Sequence, residues 1–157
     1  MGDVMSWIVT LFLAVFVSVG LYFIGKGIHD IALARQSSSW PQAPALILES
    51  KVTTSRSSKG GRSYKAAIRY TYVVNGAPLT SSKIFFGDGI SAGSAYANAI
   101  AKRHPDGAQT IAYHHPERPA LAVLEPGLTK RSFITAAFGF IFFAIGSGFG
   151  LLYWLTH

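Results

Sequence analysis

All fourteen lysines and arginines of this 157-residue chain lie between Lys26 and Arg131, while Val4–Gly25 and Ser132–Thr156 carry no charged side chain. Each of those stretches exceeds the ~20 apolar residues that cross a hydrocarbon core. They are expected as transmembrane helices over residues 4–25 and 132–156, bracketing one basic segment. With no charge inside either span, a proton relay or an ion pathway has nothing to run on.

What remains between the spans is enough for one small domain with a single core. Tyr64, Ile68, Tyr70, Tyr72, Ile84, Phe85 and Ile111 are the expected core material. The formal charge is +7, and the segment between the spans is more basic still, because Asp3 is the only charged side chain at either end. The basic residues are scattered and no recognition helix accompanies them, so nucleic acid is not an expected partner. With no cysteine in the chain, disulfides, thiolate metal sites and thiol nucleophiles are excluded.

Met-Gly-Asp before a long apolar run does not fit a cleaved signal, which needs a basic start and a short core. The first span is therefore expected to stay as an anchor. Lys26 and Arg35 follow it and Arg118, Lys130 and Arg131 precede the second span, which predicts a cytoplasmic central domain and, for a bacterium, the inner membrane. Small residues that permit close helix approach recur at Ser6, Thr10, Ala14 and Ser18, and at Gly146 and Gly150, so the spans are expected to pack together or self-associate. Gly25-Lys26-Gly27 is expected to loosen the helix, leaving an interfacial helix and linker over 26–39. Trp40 then either rests at headgroup level or caps the domain core.

Between Tyr64 and Val74 the chain alternates, with Tyr64, Ala66, Ile68, Tyr70, Tyr72 and Val74 on one side, which predicts a half-buried strand. Asn75-Gly76 supplies a tight two-residue turn into an antiparallel partner over 79–86. An earlier strand is expected over 43–54, joined through a Gly60-Gly61 loop, with further strands over 108–114 and 120–124. A short helix capped by Ser91 or Ser94 should present Tyr96, Ala99 and Ile100 on one face and end at Lys102-Arg103. The expected fold is α+β: a small antiparallel β-rich domain over 40–127, a curled sheet or open barrel with one short helix, inserted between two transmembrane helices.

The succession of Trp40, the tyrosine alternation ending in Asn75-Gly76, Phe86-Gly87, Pro105-Asp106-Gly107 and the stretch from His115-Pro116 to Glu125-Pro126-Gly127 resembles the bacterial family called domain of unknown function 3592. The resemblance covers roughly residues 40 to 127 and implies flanking spans. Where that family carries an aromatic residue before the first proline and Tyr-Asp before the second, this chain has His104 and His114-His115. It implies an architecture and no catalytic residues.

Catalytic and metal constellations are thin in the sequence. Adjacent His114 and His115 point to opposite faces of a strand, so at most one joins His104, and two ligands do not hold a catalytic metal. The Ser57–Arg62 loop lacks the spacing of a phosphate cradle. Lys51, Arg56, Lys59, Arg62 and Lys65 do form a local basic cluster, a candidate surface with Trp40 for a protein partner or anionic lipid. The expectation is a non-enzymatic membrane protein without cofactor or metal, binding membrane lipids through its spans and a protein partner through its domain. Such a protein acts as an accessory subunit, assembly factor or inhibitor. The alternatives are a toxin-neutralising immunity protein, an anionic-lipid-binding domain, and an enzyme built on His104, His115 and Asp106.

Overall fold

A computed structural model describes residues 2–56, 60–89 and 93–156. The chain divides into two compact units, one made of residues 1–32 and 132–157, the other of residues 33–131.

The first unit is a pair of helices, from α1 (Gly2–Ser37) and α3 (Ile134–Thr156), the latter preceded by a turn of 3-10 helix at Lys130–Phe133. Both helices are long and apolar enough to cross a membrane. Of their most apolar windows only 11% and 17% is buried, which is not how the core helix of a water-soluble domain behaves. The expected loosening at Gly25–Gly27 does not occur. One helix runs through it, and Lys26 pairs with Asp30 one turn on at 2.7 Å, a spacing that supports helix.

The two helices meet along a glycine-lined seam. A β-carbon on Gly20 would lie 2.6 Å from the Phe143 backbone, one on Gly27 2.5 Å from Ala136, and one on Gly139 2.5 Å from Ile24. Gly146 sits against Val17 and Phe16, and Gly150 within reach of Leu13. Phe16 and Phe142 stack with centroids 5.6 Å apart. Of the expected stripe on α1, Thr10 is half-buried, Ala14 and Ser18 are exposed, and the side chain of Ser6 lies outside the described residues. Residues spaced by four drift ~40° around a helix at each step, whereas the sevenfold spacing of Leu13, Gly20 and Gly27 stays on one face.

The second unit is α+β. Its sheet has the order β3-β2-β1-β4-β5, every pairing antiparallel, from β1 (Gln42–Arg56), β2 (Arg62–Val74), β3 (Ala77–Ser81), β4 (Gln109–His114) and β5 (Ala122–Val123). The tight turn falls at Asn75-Gly76, both with positive φ, as a two-residue hairpin requires. Strand β3 is shorter than expected because the Ser81 hydroxyl accepts the Lys83 N–H and turns the chain out of the ladder. Ile84, Phe85 and Phe86 follow as a buried turn, in which the Asp88 carboxylate accepts the Ile84 N–H at 2.7 Å.

One face of the sheet holds the core, with Ala45, Ile47, Ile68, Tyr70 and Tyr72 packed against Ile84, Phe85 and Leu124. The sheet curls until its two edges meet, the Ile84 carbonyl accepting the N–H groups of Leu124 and Glu125. Tyr70 crosses the interior of that curl, its hydroxyl 2.9 Å from the carbonyls of both Lys83 and Ala122, and Tyr72 donates to the Pro119 carbonyl at 2.7 Å. Helix α2 (Ser94–Arg103) covers the same face through Ala97 and Ile100. This corrects the expected face, since Tyr96 and Ala99 are exposed; the Tyr96 ring instead carries the Arg131 guanidinium at 4.4 Å. Gly93 precedes the helix with no side-chain cap; Ser94 is its first residue, and Ser91 lies outside the described residues. Ile111 is also corrected, being an exposed residue of the opposite face and not of the core.

Candidate functional site

The opposite face of the sheet is where the domain departs from an ordinary half-buried sheet. Antiparallel sheets with one solvated face place polar residues there. Here Pro44 pairs with Ile111, Leu46 lies beside Thr71, and Val73 pairs with Pro78. Val73 and Pro44 each lie one residue beyond the last β1–β2 pair, Ala45 with Tyr72, so Pro78, Val73, Pro44 and Ile111 follow one another across β3, β2, β1 and β4. Val73 is 54% exposed, Ile111 45%, Leu46 40% and Leu48 45%. Leu48 is the extra residue where the β1–β2 register shifts between Ile47 and Glu49, and the bulge keeps it outward. Exposed aliphatic residues on three adjoining strands, with Pro78 on a fourth, are the kind of patch that marks an interaction surface.

The apolar band passes directly into a charged one. Beyond the bulge, β1 and β2 continue as a two-stranded arm past the last pairings of β3 and β4. On its outer face Glu49 lies opposite Arg69, Lys51 opposite Ala67, and Thr53 opposite Lys65. Glu49 meets Lys51 at 2.5 Å and Arg69 at 3.6 Å. The hydrogen bond and charge of Lys51, with a smaller contribution from Arg69, hold its carboxyl below the usual carboxylate range. It stays ionised and the face remains net positive. At the end of the arm Arg56 stands directly opposite Arg62, a like-charge pairing that costs stability unless an anion is near.

The expected basic cluster is thus split by strand alternation: Lys51 and Lys65 share the outer face with Arg69, which the sequence reading did not include, while Arg56 and Arg62 fall on the other parity. Lys59 lies outside the described residues. Trp40 does not join them. It is 6% exposed, edge-on to Phe86 and His115 with centroids 5.9 and 5.2 Å away, and packs with Leu33, Ala34 and Val123. Of its two expected places it occupies the domain core.

The histidines and Asp106 are each engaged separately. His104 Nε2 lies 3.0 Å from Glu125, which also meets Arg103 at 3.0 Å, tying the end of α2 to the segment after β5. His115 Nδ1 accepts the backbone N–H groups of Glu117 and Arg118, at 3.2 and 3.3 Å, and so organises the turn that follows β4. His114 is buried, with Nδ1 3.4 Å from the His115 carbonyl. Asp106 accepts the Ser50 N–H, and Ser50 donates its hydroxyl to Ala101. Among the described residues no three His, Cys, Asp or Glu side chains gather as a metal site would need. The cavity under α2, lined by Tyr64, Phe85, Asp88, Ala97, Ile100 and Arg131, has a volume of about 20 Å³, room for a single water.

The signal that marks the outer face was present in the sequence. From Ala43 to Leu48 every residue of β1 is apolar, on both parities, and such a run is the pattern of a strand covered on both sides. Alternation on one parity is enough to place the strand; the apolar residues of the other parity are what mark its second side.

A family model described as domain of unknown function (DUF3592) covers residues 43–129, more than half of the chain and nearly all of the sheet unit. No curated protein matches the chain.

Proposed function

The chain belongs to the DUF3592 family, and from that premise we propose that it is a two-pass membrane protein whose small β domain binds another protein, as an accessory subunit, assembly factor or inhibitor. The observation that carries this reading is the uncovered apolar band formed by Leu46, Leu48, Val73 and Ile111 on the outer sheet face. A water-exposed band of this kind gains about 25 cal/mol for each Å² that a partner covers. The two long apolar helices hold the domain beside its partner, which raises the effective concentration of a weak contact. The charge flanking the spans favours the cytoplasmic side of an inner membrane for the domain.

Lipid binding by the domain has less behind it, since Trp40 is spent inside the core. For catalysis, the candidates His104, His115 and Asp106 hold different parts of the backbone and of the α2 terminus. The test is extraction of the tagged full chain in mild detergent at its natural expression level, with identification of what copurifies. A second protein in stoichiometric amount is the expected result. A chain that purifies alone, or with lipid only, overturns the reading.

A further inference from the structure

The outer sheet face joins two surfaces that are usually separate. Toward β4 and β3 it is aliphatic, with Leu46, Val73 and Ile111 in adjoining rows; toward the arm it is basic, with Lys51, Lys65 and Arg69 set against the single carboxylate of Glu49, which Lys51 and Arg69 share. Both halves lie along the same strands. From Pro44 to Lys51 on β1 the distance is roughly 23 Å at 3.3 Å per residue, the length of about four turns of helix.

From this arrangement we infer that the outer face is the docking site for an acidic amphipathic segment of another protein, one that lays an apolar side on Leu46, Val73 and Ile111 and carboxylates toward Lys65 and Arg69. The inference rests on the protein-binding reading and names the chemistry of the partner.

Three observations choose this occupant. First, β1 is apolar on both parities through Leu48, so the strand is built to be covered twice, once by the core and once from outside. Second, a copy of the same chain offers no complement. Glu49 is the one carboxylate on this face among the described strand residues, and it is already paired, so face-to-face association brings positive charge against positive charge. Third, the exposed apolar side chains of the band are aliphatic or proline, not tryptophan or phenylalanine. Headgroup-level belts are built on tryptophan and tyrosine; the one tryptophan of this unit is buried, and Tyr113, on the outer parity of β4, is half-buried against the Trp40 cluster.

The basic end also has a reason to want acid. Arg56 opposite Arg62 on the narrow arm, with Lys65 and Arg69 following, concentrates positive charge on two strands that extend beyond the sheet. Arg56 and Arg62 lie on the other parity, so carboxylates laid along the outer face meet Lys65 and Arg69, and that charge sets the direction of docking.

The experiment is photocrosslinking in intact cells. Benzoylphenylalanine is placed at Val73 or Ile111 of the full chain, with Asn98 on exposed α2 as the comparison position. The adduct is sequenced. The expected result is an adduct from both outer-face positions and not from Asn98, formed with a peptide of another protein that carries net negative charge and helical apolar spacing. Its yield should fall roughly tenfold in Lys65→Glu/Arg69→Gln. It should also fall with rising ionic strength in membranes from cells carrying the unaltered Lys65 and Arg69, a readout independent of the variant's folding. An adduct with lipid, with a second copy, or with a peptide lacking excess carboxylates overturns the proposal, as does a yield indifferent to both charge and salt. If a protein copurifies stoichiometrically but crosslinks only from Asn98, the protein-binding reading stands and this site is wrong. If nothing copurifies, the reading beneath it has failed first.

Discussion

At the scale of single residues, the domain is held together by side chains whose polar ends reach across the fold. Tyr70 is fully buried, and its hydroxyl lies between a carbonyl from the β3 side and one from the β5 side. Removing it in Tyr70→Phe takes away the one proton that the two carbonyls share; Ser81 still donates to Ala122, and the Lys83 carbonyl loses its phenol donor. A loss of about 1–3 kcal/mol follows, seen as a lower unfolding midpoint with the fold retained. Burial raises the Tyr70 phenol above its ordinary value of 10.0 and raises Tyr72 as well. A group whose folded value is raised lends stability below its unfolded value and loses it as pH climbs toward the folded one. Stability should therefore decline above about pH 10, and Tyr70→Phe should decline less steeply over that range. A variant with the same alkaline slope as the parent removes Tyr70 from this role. The tyrosine alternation was legible in the sequence, because period two survives any fold that buries one face. The partners of the hydroxyls were not, since Ala122 and Pro119 are brought near only by the curl.

Elements show a different balance between what could be read and what could not. All five strands and the short helix were legible from alternation and turn residues. The end of β3 was not, because a single Ser81 hydroxyl bond turns the chain early. In the helical unit the glycines pointed to close packing, but the choice of face depended on whether small residues recur every four or every seven. Gly139 belongs to the seam and Gly148 does not, a β-carbon on the latter meeting nothing within 4 Å. A cysteine pair at Leu13 and Gly150, clean in a chain with no native cysteine, should crosslink the two helices. Gly139→Val should abolish that crosslink and Gly148→Val should leave it. Equal effects from both substitutions would contradict the seam.

On the scale of the whole molecule, charge segregation carried most of the information. It placed two apolar helices and one basic unit between them, and the structure has that order. What charge segregation could not convey is which side of the sheet is left open, because exposure depends on what packs where and not on the sequence of any one strand. The same segregation predicts sidedness. A cysteine at Thr53, exposed on the arm, should react with an impermeant maleimide only after the inner membrane is opened. Labelling in cells whose membrane is intact would reverse the proposed orientation.

The measurement that bears most directly on the central claim is copurification of the full chain compared with Leu46→Asp/Ile111→Asp. Both positions are exposed, so the variant should keep its unfolding midpoint, and a carboxylate in the apolar band opposes both the apolar contact and an acidic partner. The account predicts that the partner retained by the parent chain is lost from the variant. A partner that stays in full stoichiometry, with the variant folded, would show that the outer sheet face is not where this protein binds.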